Sequence, residues 1–106
     1  NPKIPDFGVY CGIAPVDVAV DGSFYVYAAA EIAEAYGKDK VKDYYQGYAG
    51  ILSSYGFHEQ FNFANPDGGE VVVYLSADGK YSLEYGTTID ANLGEVILIG
   101  ITEVPA

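Results

Sequence analysis

Few residues in this 106-residue chain have side chains able to do chemistry, and they are scattered. Cys11 is the only thiol and His58 the only imidazole, so a nucleophilic thiolate–imidazole pair would have to be built from these two. Cys11 lies in Val9-Tyr10-Cys11-Gly12-Ile13, an apolar setting that predicts a buried, unreactive thiol. His58 shares the polar side of an alternating stretch with Gln60 and Asn62, where a solvated histidine is expected. A single histidine cannot make a His-rich metal site, and a single cysteine cannot close an intramolecular disulfide. The chain has no arginine for bidentate recognition of phosphate or carboxylate. No phosphate-cradling loop or dinucleotide-binding glycine pattern is present, and we expect neither a cofactor nor a metal.

Carboxylates are abundant, and two of them at the right separation could serve as acid and base. Asp17 with Asp21, and Glu31 with Glu34, have nothing in their surroundings that separates them from solubilising surface charge. Asn65, Asp67 and Glu70 bracket a glycine turn and could offer oxygens to calcium. They miss the EF-hand spacing, and turn formation accounts for Asn, Asp and Gly there. The expectation is a protein that is not an enzyme.

The tyrosines point elsewhere. There are 11 of them, and Tyr44, Tyr45, Tyr48 and Tyr55 fall on one helical stripe with Val41 and Leu52. Tyrosine offers a large contact area at low entropic cost and keeps a polar tip, so these four are the candidate binding residues. The same stripe also suits an amphipathic helix with its hydroxyls at the core boundary. Within it, Gln46-Gly47-Tyr48-Ala49-Gly50 matches two positions of the Gln-x-Val-x-Gly loop of cystatin-type protease inhibitors. Tyrosine replaces the valine, and the segment reads as helix where that family has a hairpin loop, so no membership follows.

Net charge narrows the partners. With 15 acidic and five basic side chains the chain carries a formal charge of −10, the opposite of what binding to nucleic acid requires. Three of the lysines are crowded at Lys38, Lys40 and Lys42. A basic protein partner, or solubility in salty or extracellular fluid, fits the charge better. No apolar run approaches the ~20 residues of a membrane-spanning helix. The first residue is Asn1 and methionine is absent, which together suggest a processed, secreted product.

The elements that must position these residues follow from periodicity. Length and apolar content predict a single domain over 1–106. Phe7 to Val20 alternates on either side of Pro15 and predicts an interrupted N-terminal strand. Phe24 to Tyr36 repeats at three- and four-residue spacing around Ala28-Ala29-Ala30 and predicts a helix that Gly37 stops. Asp39 is a candidate cap for a second helix running to Gly56, giving a two-helix hairpin. Gly47 and Gly50 inside it call for a close neighbour, with Ala29 and Ala33 of the first helix as candidates. From Phe57 the period becomes two, and four runs separated by turns predict an antiparallel meander. The fold class is therefore α+β: an N-terminal strand, a two-helix hairpin and a four-stranded antiparallel meander with the helices on one face.

The last run, Glu95 to Thr102, is apolar on both sides. Val96 and Leu98 point one way, and Ile97, Ile99 and Ile101 the other. Such a strand needs cover on both faces, from helices, a second sheet or another subunit. Val96, Leu98, Ile99 and Ile101 are accordingly candidate interface residues. Three functions follow. The first is an acidic interaction module, such as a secreted inhibitor or neutraliser of a basic partner. The second is a structural subunit of an extracellular assembly or filament joined by strand addition, with a second copy as partner. The third is a small-ligand-binding protein with a pocket lined by aromatic side chains.

Overall fold

A computed structural model describes residues 4–20, 23–66 and 69–105. Asp67, one of the three candidate calcium ligands, and Asp21, one of the carboxylates weighed as an acid–base pair, lie outside the described residues. The chain order is α1 (Phe7–Cys11), β1 (Asp17–Val18), β2 (Phe24–Ala28), α2 (Ala29–Tyr36), α3 (Lys40–Ser54), β3 (His58–Ala64), β4 (Glu70–Leu75), β5 (Tyr81–Asp90) and β6 (Gly94–Glu103). The strands form one antiparallel sheet in the order β1-β2-β6-β5-β4-β3. The α+β class holds, and β3 to β6 form the meander, but as part of a six-stranded sheet.

Two N-terminal expectations are corrected. Phe7 to Val20 is not an interrupted strand: its first part is the short helix α1, and only Asp17–Val18 pairs as a strand. The helix is fixed from both ends. The Asp6 carboxylate accepts a hydrogen bond from the Val9 N–H at 3.1 Å, and Gly12 closes it at φ 71°. Phe7 and Cys11, one turn apart, are both buried, so a helical stripe was hidden inside the apparent alternation. Likewise, Phe24 to Tyr36 is not one helix. Its first five residues are β2, which pairs along β6 from Phe24↔Gly100 to Ala28↔Val96, and α2 begins at Ala29. The strand gives β6 its second neighbour, and those backbone bonds outweigh the helix propensity of the alanines.

The register assigns every strand residue to a face. Tyr25 and Tyr27 of β2, Ile97 and Ile99 of β6, Leu83 and Tyr85 of β5, and Val72 and Tyr74 of β4 share one side. These side chains pack with Phe7 and Cys11 of α1, Ile32 of α2, and Tyr48 and Leu52 of α3 to form the core. The opposite side carries Phe24, Val26, Val96, Leu98, Val71, Val73, Phe61 and Phe63, none of which belongs to that core. The two-sided strand is therefore covered by helices on its Ile97–Ile99 side alone.

Gly47 and Gly50 behave differently from each other. A Cβ on Gly47 would collide with the Tyr10 hydroxyl, so the close neighbour comes from α1 and not from Ala29 or Ala33. Gly50 is exposed and a Cβ there would meet nothing within 4 Å. Gly50→Ala is accordingly expected to stabilise the protein by about 1 kcal/mol through helix propensity, read as a raised urea midpoint at unchanged m-value. A lowered midpoint would mean that α3 needs flexibility at that turn.

Candidate functional site

The aromatic side chains gather where α1 and α3 meet the sheet. Phe7 sits at the centre, with ring centroids of Tyr27 at 4.9 Å, Tyr48 at 5.1 Å and Tyr85 at 6.2 Å. Tyr45 stacks on Tyr85 at 4.5 Å with planes 19° apart. The geometries are edge-on, tilted or offset, which the ring quadrupole favours. Hydroxyls reach out of this layer to backbone: Tyr48 Oη donates to the Pro5 carbonyl at 2.6 Å, and Tyr85 Oη to the Tyr45 carbonyl at 2.7 Å. Tyr36 Oη donates to the Cys11 carbonyl at 2.8 Å. The Tyr36 and Tyr48 bonds tie the N-terminal segment to α2 and α3, and the Tyr85 bond ties β5 to α3.

The four candidate tyrosines do not make one surface. Tyr48 is fully buried and holds Pro5, and Tyr45 is mostly buried against Tyr85 with its hydroxyl enclosed and unpartnered. Tyr44 joins Tyr10 and Tyr36 at 5.5 and 4.9 Å in a half-exposed cluster beside Lys40 and Asp43. Tyr55 is exposed at the end of α3. The buried rings fill the core and leave little room: the space bounded by Phe7, Tyr27 and Tyr48 is about 100 Å³, short of the ~300 Å³ of a small ligand pocket. The Gln46–Gly50 segment lies within α3, as its helical reading required.

The candidate interface residues of β6 are likewise divided. The strand lies between β2 and β5, so both of its backbone edges are paired and no strand can add to it. Ile99 is buried in the core, and Ile101 is half-buried on the same side. Val96 and Leu98 lie on the helix-free side. The candidate interface residues of β6 therefore have no free backbone edge to offer a partner.

The thiol and the imidazole are not joined into a nucleophilic pair: one lies in the core, the other on the exposed edge strand. Cys11 is wholly buried in α1, and burial pushes its thiol up to about 11, against the thiolate a nucleophile needs. His58 is exposed at the far edge of the sheet on β3. Among the described residues no group of three potential metal-binding side chains comes together. The amide of Asn65 is committed to the Thr87 carbonyl at 2.8 Å. Among the described residues no helix is long and apolar enough to cross a membrane.

What the sequence did not single out is a groove on the helix-free face. Val16, Val26, Val96 and Leu98 line it from the sheet side, and Leu93 of the β5–β6 turn lines it with Asp17 and Asp90. Its volume is about 550 Å³, larger than the aromatic-lined spaces. Phe24, 41% exposed, extends the apolar surface by lying over Gly100 of β6. Glu84 projects from the same side, opposite Gly100. Every charged residue lining the groove is acidic, and Lys38 and Lys42 border a different cleft beside α3. The signal available in the sequence was the two-sided apolarity of β6; Phe24 and Val26 were masked by being read as helix. The chain matches no family model, no curated protein and no solved structure.

Proposed function

We propose that this protein is a non-catalytic interaction module that docks a basic, apolar segment of a partner protein in the groove on its helix-free sheet face. The observation that carries the reading is the combination of an apolar floor at Val26 and Leu98 with an exclusively acidic rim at Asp17 and Asp90. An apolar surface left without helix cover favours a partner that removes it from water. The rim selects for lysine or arginine beside the apolar contacts, because an acidic or neutral segment would leave its carboxylates desolvated and unpaired. A second copy of this chain would bring like charges together at that rim, and the formal charge of −10 adds to the repulsion. The setting we infer is extracellular, and the biological role is inhibition or neutralisation of a basic partner.

The test uses a synthetic peptide alternating lysine and valine, with a glutamate–valine peptide as control, titrated by calorimetry. Asp90 Oδ2 accepts from the N–H groups of Asn92 and Leu93 at 3.0 Å, and Asp17 Oδ1 from the Val18 N–H at 3.0 Å. Asparagine keeps an acceptor at both places and removes only the charge. Affinity for the lysine peptide is expected to fall about tenfold in the Asp17→Asn, Asp90→Asn double variant, equivalent to about 1.4 kcal/mol. It is also expected to weaken as salt is raised. Equal affinity for both peptides, or no change in the double variant, would sink the reading.

A further inference from the structure

The sheet has two edges and they are unequal. β1 at one edge is two residues long, whereas β3 at the other runs for seven residues, all of them exposed. Long edge strands are commonly guarded by lysine, proline or inward-pointing charge. His58–Ala64 contains no lysine, arginine or proline, and Glu59 is its only acidic residue. Its one irregularity is a register shift between Glu59 and Phe61, after which Phe61 to Ala64 pairs regularly with Val73 to Glu70.

The ladder fixes which backbone groups face outward. Asn65 N–H donates to the Gly69 carbonyl at 2.7 Å, so residue 65 turns toward β4. By the alternation of an antiparallel pair, Phe63 and Phe61 also turn toward β4, and Asn62 and Ala64 direct their N–H and C=O to the open edge. The side chains of Phe61 and Phe63, 58% and 46% exposed, stand on the helix-free face. Phe61 to Ala64 is thus an uncharged stretch with the backbone groups of Asn62 and Ala64 directed to the open edge and two exposed aromatic rings. Nothing in it attracts a basic segment in particular.

We propose that β3 pairs with β3 of a second copy of this chain, antiparallel about a twofold axis through Asn62. In that register Asn62 meets Asn62 as a hydrogen-bonded pair, which is what its outward N–H and C=O require. Phe61 of each copy falls opposite Phe63 of the other on a non-hydrogen-bonded pair, the closer of the two spacings, where aromatic cross-strand contacts are strongest. The two Glu59 residues lie at opposite ends of the joint and do not face each other. The six-stranded sheets become one continuous sheet, and the aromatic residues of both copies form a single patch. Strand addition thus belongs to β3, at the edge, and not to β6. The distributed negative charge opposes this association, so salt strengthens it by screening, the reverse of its effect on a basic ligand in the groove.

Molar mass by light scattering, measured across concentration and salt, tests the pairing. A single-strand joint is a small interface, so the mass is expected to rise from 11.3 kDa toward twice that value only as concentration approaches about 1 mM, and more readily at higher salt. Asn62→Lys and Asn62→Glu, each alone, are expected to reduce the association constant at least tenfold, because like charges then meet on the axis. An equimolar mixture of the two variants is expected to restore a dimer containing one of each. Circular dichroism of each variant confirms that the exposed substitution leaves the fold intact. A wild-type mass that stays at 11.3 kDa throughout would overturn the proposal. So would a dimer that persists in Asn62→Lys, or a mixture that stays monomeric.

Discussion

Gly86→Ala is expected to destabilise the protein by about 3 kcal/mol. Gly86 lies in the middle of β5, opposite Val71 of β4. A Cβ there would collide with the Glu70 carbonyl oxygen and sit 2.7 Å from the Val71 Cα, both backbone atoms. A flexible side chain could swing aside, but the neighbouring strand cannot move without loosening its ladder. Gly69 is similarly constrained against the Thr87 carbonyl, so the β4–β5 pair is closely apposed at two neighbouring points. The expected readout is a lower urea midpoint, with amide exchange accelerated first in Val71 to Val73. A variant as stable as the parent would mean that the two strands separate more readily than their register implies.

Alkaline pH is expected to unfold the protein through its buried phenols. Burial pushes Tyr27 from 10.0 up to about 12, with Asp6 adding to the rise, and pushes Tyr45, Tyr48 and Tyr85 higher still. Cys11 rises from 9.0 to about 11 by the same desolvation. For each group the neutral form is favoured in the folded state. Below pH 9 both states hold these protons and stability does not depend on them. Above it the unfolded chain releases protons first, Cys11 and then the tyrosines, so stability falls as pH rises through the folded values. Each group in its window contributes a slope of about 1.4 kcal/mol per pH unit. Tyr48 and Tyr85 must also stay protonated to donate to the carbonyls of Pro5 and Tyr45. Urea midpoints should therefore be flat from neutrality to about pH 9 and then drop steeply, with the tyrosinate signal of the buried rings appearing together with loss of the folded signal. Ionisation of Tyr27, Tyr45, Tyr48 and Tyr85 in a protein that stays folded would contradict the burial of this layer.

The parts of the fold legible in the sequence were those with a local cause. The run from Lys40 to Ser54, the turn at Asn65-Pro66, and the alternation in β3, β4 and β5 each state their structure in their own residues. The division of β6 into an Ile97–Ile99 side and a Val96–Leu98 side was equally plain. What misled was a segment whose conformation is decided from elsewhere. Phe24 to Ala28 looks helical because alanines follow it, and becomes a strand because β6 has an edge to fill. Phe7 to Cys11 looks extended because Val9 and Cys11 alternate, yet Asp6 and Gly12 close a helix around them. The site was harder still. The tyrosine stripe of α3 was visible, but its spacing could not say that Tyr48 would face inward under Phe7 while Tyr44 and Tyr55 stayed at the surface. The groove joins Val16, Val26, Leu93 and Leu98, of which the β2–β6 pairing sets Val26 beside Leu98, and no spacing along the chain announces it.

Amide chemical shifts of labelled protein titrated with the lysine–valine peptide locate the binding surface residue by residue. The perturbed amides are expected to cluster at Val26, Asp90, Leu93 and Leu98, lining the groove on the helix-free face, and the shifts to diminish as salt is added. Perturbation centred instead on Tyr10, Tyr36 and Tyr44, or spread evenly over the acidic surface, would contradict docking there and leave the groove without a role in binding.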